Sequence, residues 1–188
     1  MRVIAGTRGG RRLVAPDGAA TRPTGDRVRE ATFNALNSLD ALAEAEVLDL
    51  FAGSGALGIE ALSRGAAHAT FVDDDRRAIE AIEANLATTG LADRATVVRG
   101  SARRVLDDAA DRGQRWSLAL LDPPYAFDGW AALLAALPAE LAVVESDRPV
   151  AVPEPWRAIR ERRYGATLVA ILRPQPPAGA PRGPDLPE

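Results

Sequence analysis

The sequence contains no cysteine and no lysine, and its single histidine is His68. Zinc, iron–sulfur and thiol chemistry therefore lack their usual ligands, and catalysis is left to carboxylates, amides and backbone groups. His68 follows Arg64-Gly65-Ala66-Ala67 in the turn expected before a strand, and it reads as a solvated loop residue with no role. No long apolar run is present, and Met1-Arg2-Val3-Ile4-Ala5-Gly6 does not open a signal-peptide-like segment. No membrane span or metal is expected, and a cytoplasmic, monomeric protein is the simple reading. All 23 basic residues are arginine, which dilutes any functional meaning of arginine abundance.

What is present suffices for one packed domain: 188 residues, 47% of them hydrophobic. The net charge of −3 is unevenly spread, because residues 1–30 hold seven arginines against three carboxylates, and the remainder is correspondingly acidic. A basic end on an acidic body is the pattern expected where one end meets phosphates. Residues 2–15 read as a hairpin whose polar positions are nearly all arginine, including Arg8, Arg11 and Arg12. It is either a phosphate-contacting flap or a solvated small sheet. Val28, Ala31, Thr32, Ala35, Leu36 and Leu39 then fall at helical spacing, with Thr24 or Asp26 as cap. Arg22, Thr24, Arg27 and Arg29 are placed near its ligand edge, or else merely solvate a surface helix.

The central stretch, Val47-Leu48-Asp49-Leu50-Phe51-Ala52-Gly53-Ser54-Gly55-Ala56-Leu57-Gly58, reads strand, tight turn, helix. Gly53, Gly55 and Gly58 satisfy the dinucleotide fingerprint literally. Asp49 at the strand end, however, suits a cationic ligand better than a pyrophosphate. The ammonium and sulfonium of S-adenosyl-L-methionine make such a ligand, and Asp-x-x-x-Gly-x-Gly resembles the first motif of Rossmann-like methyltransferases.

A second strand, Ala69 to Val72, ends in Asp73-Asp74-Asp75. Asp73 lies at the offset where an acid meets ribose hydroxyls, and Asp74 or Asp75 is the alternative helix cap. A short third strand precedes Ser101 and Ala102, and the apolar run Trp116 to Leu121 reads as a strand buried on both faces. Helix Trp130–Leu137, strand Leu141–Glu145 and a hairpin over Trp156–Leu172 complete the body. The expected fold is α/β and Rossmann-like: a mostly parallel seven-stranded sheet with helices on both faces and an N-terminal β-hairpin extension. Its expected divisions are an arginine-rich arm over 1–21, a methyltransferase domain over 22–173, and a disordered proline-rich tail over 174–188.

Asp122-Pro123-Pro124-Tyr125 ends the fourth strand. Two prolines stiffen the loop and remove donors, so carboxylate and carbonyl oxygens face the rim beside a flat ring. That arrangement suits an exocyclic nucleobase amine: Asp122 and the Pro123 carbonyl hold its two hydrogens, and Tyr125 stacks on the base. In isolation, the same tetrapeptide reads rather as a β-turn with an N-capping aspartate; beside the rim it does not.

This tetrapeptide with the glycine stretch resembles the amino-methyltransferases of nucleobases. The string Arg22-Pro23-Thr24, Asp26-Arg27-Val28-Arg29-Glu30, Phe33-Asn34 and the run Glu60-Ala61-Leu62-Ser63-Arg64 resemble one family among them. These are the bacterial 16S ribosomal RNA guanine-N2 methyltransferases of the RsmD type. The resemblance covers residues 2 to 173 and implies S-adenosyl-L-methionine as cofactor and 16S rRNA of the small ribosomal subunit as partner. It implies cofactor contacts from Asp49, Phe51, Ala52, Gly53, Ser54, Gly55, Gly58, Asp73 and Asp74, and base contacts from Asp122, Pro123 and Tyr125. Asp73 stands where the family usually has glutamate. Ser101 stands where an acid or amide often meets adenine, so backbone groups of Ser101 or Ala102 are assigned that contact. Adenine-N6 methylation of DNA or RNA, a dinucleotide-dependent oxidoreductase, and a non-catalytic RNA-binding module are the competing readings.

Overall fold

The computed structural model describes residues 1–16 and 25–175. Seven strands form one sheet in the order β3-β2-β1-β4-β5-β7-β6. They are β1 (Glu46–Leu50), β2 (His68–Asp73), β3 (Ala95–Arg99), β4 (Trp116–Leu121), β5 (Ala139–Ser146), β6 (Trp156–Tyr164) and β7 (Thr167–Pro174). The first five run parallel, and β7 enters antiparallel between β5 and β6. Right-handed crossovers use α2 (Ala56–Ser63), α3 (Arg76–Thr89), α4 (Ala102–Arg112) and α5 (Trp130–Ala136), with α1 (Asp26–Asn37) ahead of β1. The expected mostly parallel seven-stranded sheet is thus observed.

Alternation along the strands sends side chains into two cores. Val47, Phe71, Leu118 and Leu120 pack with Phe33 and Leu36 of α1, Ile59 and Leu62 of α2, and Ile82 of α3. Leu48, Leu50, Ala119 and Leu121 pack with Leu106 of α4 and with Trp130 and Leu134 of α5. Strand β4 is almost wholly buried because both faces are covered.

Several local expectations change. Gly25, not Thr24 or Asp26, is the N-cap of α1; Asp26 is its first residue, and Thr24 lies outside the described residues. The buried stripe of α1 is Arg29, Thr32, Phe33 and Leu36, rotated by about one position from the expected one. Asp75 caps α3, accepting from the Arg77 amide. The N-terminal hairpin is a single antiparallel bridge, Arg2 to Arg12, closed over a 3-10 turn at Gly6–Arg8.

This segment is fastened to the sheet's helices rather than free. Glu60 of α2, fully buried, accepts from the amides of Ile4 (2.7 Å) and Ala5 (3.1 Å) and pairs with Arg64 at 2.7 Å. Asn85 of α3 accepts from the Val14 amide at 2.8 Å and donates to its carbonyl at 2.9 Å. Val3 and Leu13 complete the attachment by burial in the core. At the other terminus, Pro174 still pairs with Trp156, and the Gln175 amide donates to the Pro155 carbonyl at 2.6 Å. The sheet therefore extends past the expected boundary at 173, and residues 176–188 of the expected tail lie outside the described residues. Among the described residues, no helix is long and apolar enough to cross a membrane.

Candidate active site

The turn after β1 is left-handed at three points: Phe51 (φ 67), Gly53 (φ 56) and Gly55 (φ 75). Two glycines supply that geometry without cost, whereas Phe51 is strained and is held by its neighbours. The Ala52 amide donates to Val72 O (2.9 Å), the Gly53 amide to the Asp73 carboxylate (2.8 Å), and the Gly55 amide to Ala52 O (2.7 Å). Asn85 also donates to Ser54 O at 2.8 Å, so one amide holds both the N-terminal segment and the glycine turn.

Asp49 is not at an open mouth. Its carboxylate is 1% exposed and accepts from the Gly58 amide at 2.8 Å, in the first turn of α2. Burial pushes its pKa up to about 8; the Gly58 hydrogen bond opposes this, while the nearby charges of Asp122 and Asp73 add to it. The carboxylates of Asp73 and Asp122 thus lie close enough to Asp49 to act on it. Gly58 is required by contact: a Cβ there would stand 2.3 Å from Phe71 Cε1 and 3.0 Å from Asp49 Oδ2. Gly55 likewise packs inward on Phe71 and Ile82. Both shape the turn from behind, and Asp49, Gly55 and Gly58 stand outside the lining of the neighbouring cavity.

Beside the turn lies a cavity of about 360 Å³ lined by Phe51, Asp73, Asp74, Ser101, Ala102 and, from the far side, Phe127 and Leu133. The structure thereby brings together five expected cofactor residues. Asp73 is half-buried, and both its oxygens already accept backbone N–H groups, from Gly53 and from Asp75 at 3.0 Å. Each oxygen retains a lone pair for a further donor. The Ser101 side chain caps α4, accepting from the Arg104 amide at 3.4 Å.

The apolar wall was not foreseen. Phe127 stands 5.4 Å from Phe51 and edge-on to Trp130 at 5.2 Å, and Gly129 leaves room for its ring. Its position follows from the proline loop, since the Phe127 amide donates to Pro124 O at 2.8 Å. The signal in the sequence was the Phe127-x-x-Trp130 spacing directly after the tetrapeptide.

Asp122 and Pro123 sit at the end of β4, half-buried and buried respectively, with Pro124 and Tyr125 exposed. Because the Pro124 carbonyl closes the turn to Phe127, it is not one of the acceptors offered to the rim. Tyr125 is 47% exposed, an unusual surface position for a large ring, and Arg148 at the end of β5 donates to its carbonyl at 2.8 Å. A single loop therefore joins the cavity wall, the rim carboxylate and the exposed ring.

The expected phosphate contacts divide. Arg11, Arg12 and Arg27 are exposed, Arg8 is half-buried, and Arg22 lies outside the described residues. Arg29 is a correction. It is 1% exposed, donates to Asp26 at 3.0 Å and to the Arg2 carbonyl, and lies 4.0 Å from Glu60, so its charge is committed inside the protein. Burial lowers its pKa against the opposing pull of Glu60 and Asp26. Among the described residues, no cluster of His, Asp or Glu has the arrangement of a metal site.

Known proteins match the chain in fold and in sequence. A solved chain from Escherichia coli superposes with a TM-score of 0.80 at 36% identity, covering 93% of this chain and 98% of that one. The Ribosomal RNA small subunit methyltransferase D of Escherichia coli K12 is 40% identical over 185 residues, spanning 92% of this chain and 89% of that protein. Its namesake in Haemophilus influenzae is 35% identical over 175 residues, 88% of this chain and 89% of that protein. The family described as Conserved hypothetical protein 95 matches residues 1–173. The chain belongs to this family, the RsmD family that the sequence motifs resemble.

Proposed function

We propose that this protein is an S-adenosyl-L-methionine-dependent methyltransferase that modifies the exocyclic N2 amine of a guanine in 16S ribosomal RNA of the small subunit. The observation that carries the reading is the single loop in which Asp122 and Pro123 meet the rim, Tyr125 faces solvent, and Phe127 walls the cavity. The chemistry of the site fits the cofactor. Phe51, Phe127 and Leu133 offer flat apolar contact to an adenine, Asp73 accepts from ribose hydroxyls, and the carboxylates of Asp73 in the lining and Asp122 at the rim favour a cation. The names of the relatives, which concern ribosomal RNA of the small subunit, support the substrate class.

When bound, the cofactor supplies a methyl group already activated on sulfonium, so neither metal nor histidine is needed. A guanine amine is a weak nucleophile because its lone pair is delocalised into the ring. Asp122 and the Pro123 carbonyl accept its two hydrogens and turn the lone pair toward the methyl carbon. On methyl transfer the amine nitrogen would become cationic, and Asp122 would take up one of its protons and release it to water. Tyr125 holds the extruded base by stacking, a contact of about 1–3 kcal/mol.

Labelled cofactor incubated with unmodified small subunits and with free 16S rRNA, followed by nucleoside mass spectrometry, tests the whole reading. N2-methylguanosine is expected. Methyladenosine would transfer the assignment to an adenine-N6 enzyme, and absence of any methylated nucleoside would overturn it.

A further inference from the structure

The far edge of the sheet carries arginines that the site described above does not use. Arg157, Arg160, Arg162 and Arg163 of β6 and Arg173 of β7 are all exposed. Three surface arginines on the helices are matched locally, Arg76 with Glu80, Arg103 with Asp107 and Arg104 with Asp108, each one turn on. Among the described residues, no ion pair involves any of the five edge arginines. Arg157 even stands directly opposite Arg173 across the β6–β7 ladder, a like-charge pairing that destabilises a sheet unless an anion lies between.

Their register sorts them. Arg160 is opposite Ile171 and Arg162 opposite Val169, both residues of the core beneath α1 and α2, so these arginines stand on that face. The irregularity between Ala158 and Arg160 matters here, because simple alternation from Arg157 would turn position 160 to the other face. With the bulge, Arg157, Arg160 and Arg162 form one row that ends at Tyr164, whose ring lies 5.6 Å from the Arg162 guanidinium carbon. Arg160 is braced by donating to Ser38 Oγ at 2.8 Å. A strand rise of about 3.3 Å per residue spaces such a row by about 7–10 Å, close to the phosphate repeat of an extended single strand.

The row leads to the catalytic rim. Tyr164 pairs with Thr167, and the neighbouring Leu168 pairs with Ser146 at the end of β5, so β6 ends level with the rim. Asp122 continues β4 in the phase of Leu118 and Leu120, on the same face as the row. Three strand spacings of about 4.8 Å put the end of β6 about 14 Å from the end of β4, a span of two or three nucleotides.

We propose that Arg157, Arg160, Arg162 and Tyr164 form a second RNA track, which binds the phosphates of the strand flanking the target base, on the opposite side of the rim from the N-terminal segment. This rests on the RNA-methyltransferase reading. An edge strand blunted merely against aggregation needs charge but no sorting of that charge to one face. The net charge of −3 makes a local, unneutralised row the element able to hold a polyanion.

The test is binding of a 16S rRNA transcript and of unmodified small subunits as a function of sodium chloride, with wild type, Arg157→Gln/Arg162→Gln, and the control Arg76→Gln/Arg104→Gln. At about 0.7 per phosphate contact, the track variant is expected to flatten the slope of log K against log salt by about 1.4. Its affinity for S-adenosylhomocysteine should match wild type, its melting temperature should be no lower, because the like-charge pair with Arg173 is relieved, and the control should keep the wild-type slope. A track variant with the wild-type slope, or a control that loses as much, overturns the track. Wild type that binds neither RNA probe overturns the underlying RNA reading instead.

Discussion

The Asp49 carboxylate accepts the Gly58 amide at 2.8 Å and occupies the space a Gly58 side chain would need. Strand end and helix start are thereby locked together by a group that is buried and, with its pKa raised to about 8, poorly ionised at neutral pH. Because the folded value lies above the ordinary 3.8, the native state holds this proton more tightly than the unfolded chain does. The stability it contributes is full below about pH 4 and is lost as pH rises toward 8, by at most about 1.4 kcal/mol per pH unit. Thermal melts from acidic to alkaline pH should show this decline in wild type, and Asp49→Asn should flatten it. Parallel curves for the two proteins would show that Asp49 does not titrate in this window.

Gly58→Ala tests the same lock sterically. A methyl group 2.3 Å from Phe71 Cε1 forces the ring or the helix aside, at a cost of about 1–3 kcal/mol. Urea denaturation measures the loss, and an unchanged midpoint would mean that α2 moves freely against β2.

Asp122→Ala should reduce methyl transfer by about a hundredfold or more while leaving S-adenosylhomocysteine affinity nearly intact. Tyr125→Ala should instead act mainly on RNA affinity, by about 1–3 kcal/mol. Calorimetry and single-turnover kinetics separate the two effects. Normal turnover at saturating cofactor in the Asp122 variant would remove that residue from the chemistry.

Arg29→Ala should destabilise by about 1–3 kcal/mol, since it leaves the part-buried Arg2 carbonyl without its donor while Glu60 keeps Arg64 at 2.7 Å. Under conditions where the variant remains folded, its RNA salt slope should equal that of wild type. A flatter slope would restore Arg29 to the phosphate-contacting set.

That last residue shows where reading the chain succeeded and where it stopped. Strand β4 was legible because an apolar run bounded by polar residues has few other uses, and the glycine turn because few sequences tolerate its backbone. The helical pattern of α1 was legible too, but its phase was not. Arg29, Thr32, Phe33 and Leu36 share the buried stripe, and Phe33 is the residue whose size could have set it. The arginine in that stripe is held by Asp26, one turn earlier, and by the Arg2 carbonyl and Glu60, neither of which has a local trace in the sequence. Phe127 was missed for a related reason: its place over the cavity depends on a turn closed by Pro124, and on Gly129 lacking a side chain. The direction of Asp49 likewise depended on where the first turn of α2 presents its amides.

The fastening of the N-terminal segment has a consequence for the order in which the protein assembles. Ile4 is held by Glu60, 56 residues later, and Val14 by Asn85, 71 residues later. During synthesis the chain emerges from its N-terminal side, so these earliest residues have no docking partner until α2 and then α3 are made. The same amide of Asn85 also donates to Ser54, so the N-terminal segment and the glycine turn both await α3 for this contact.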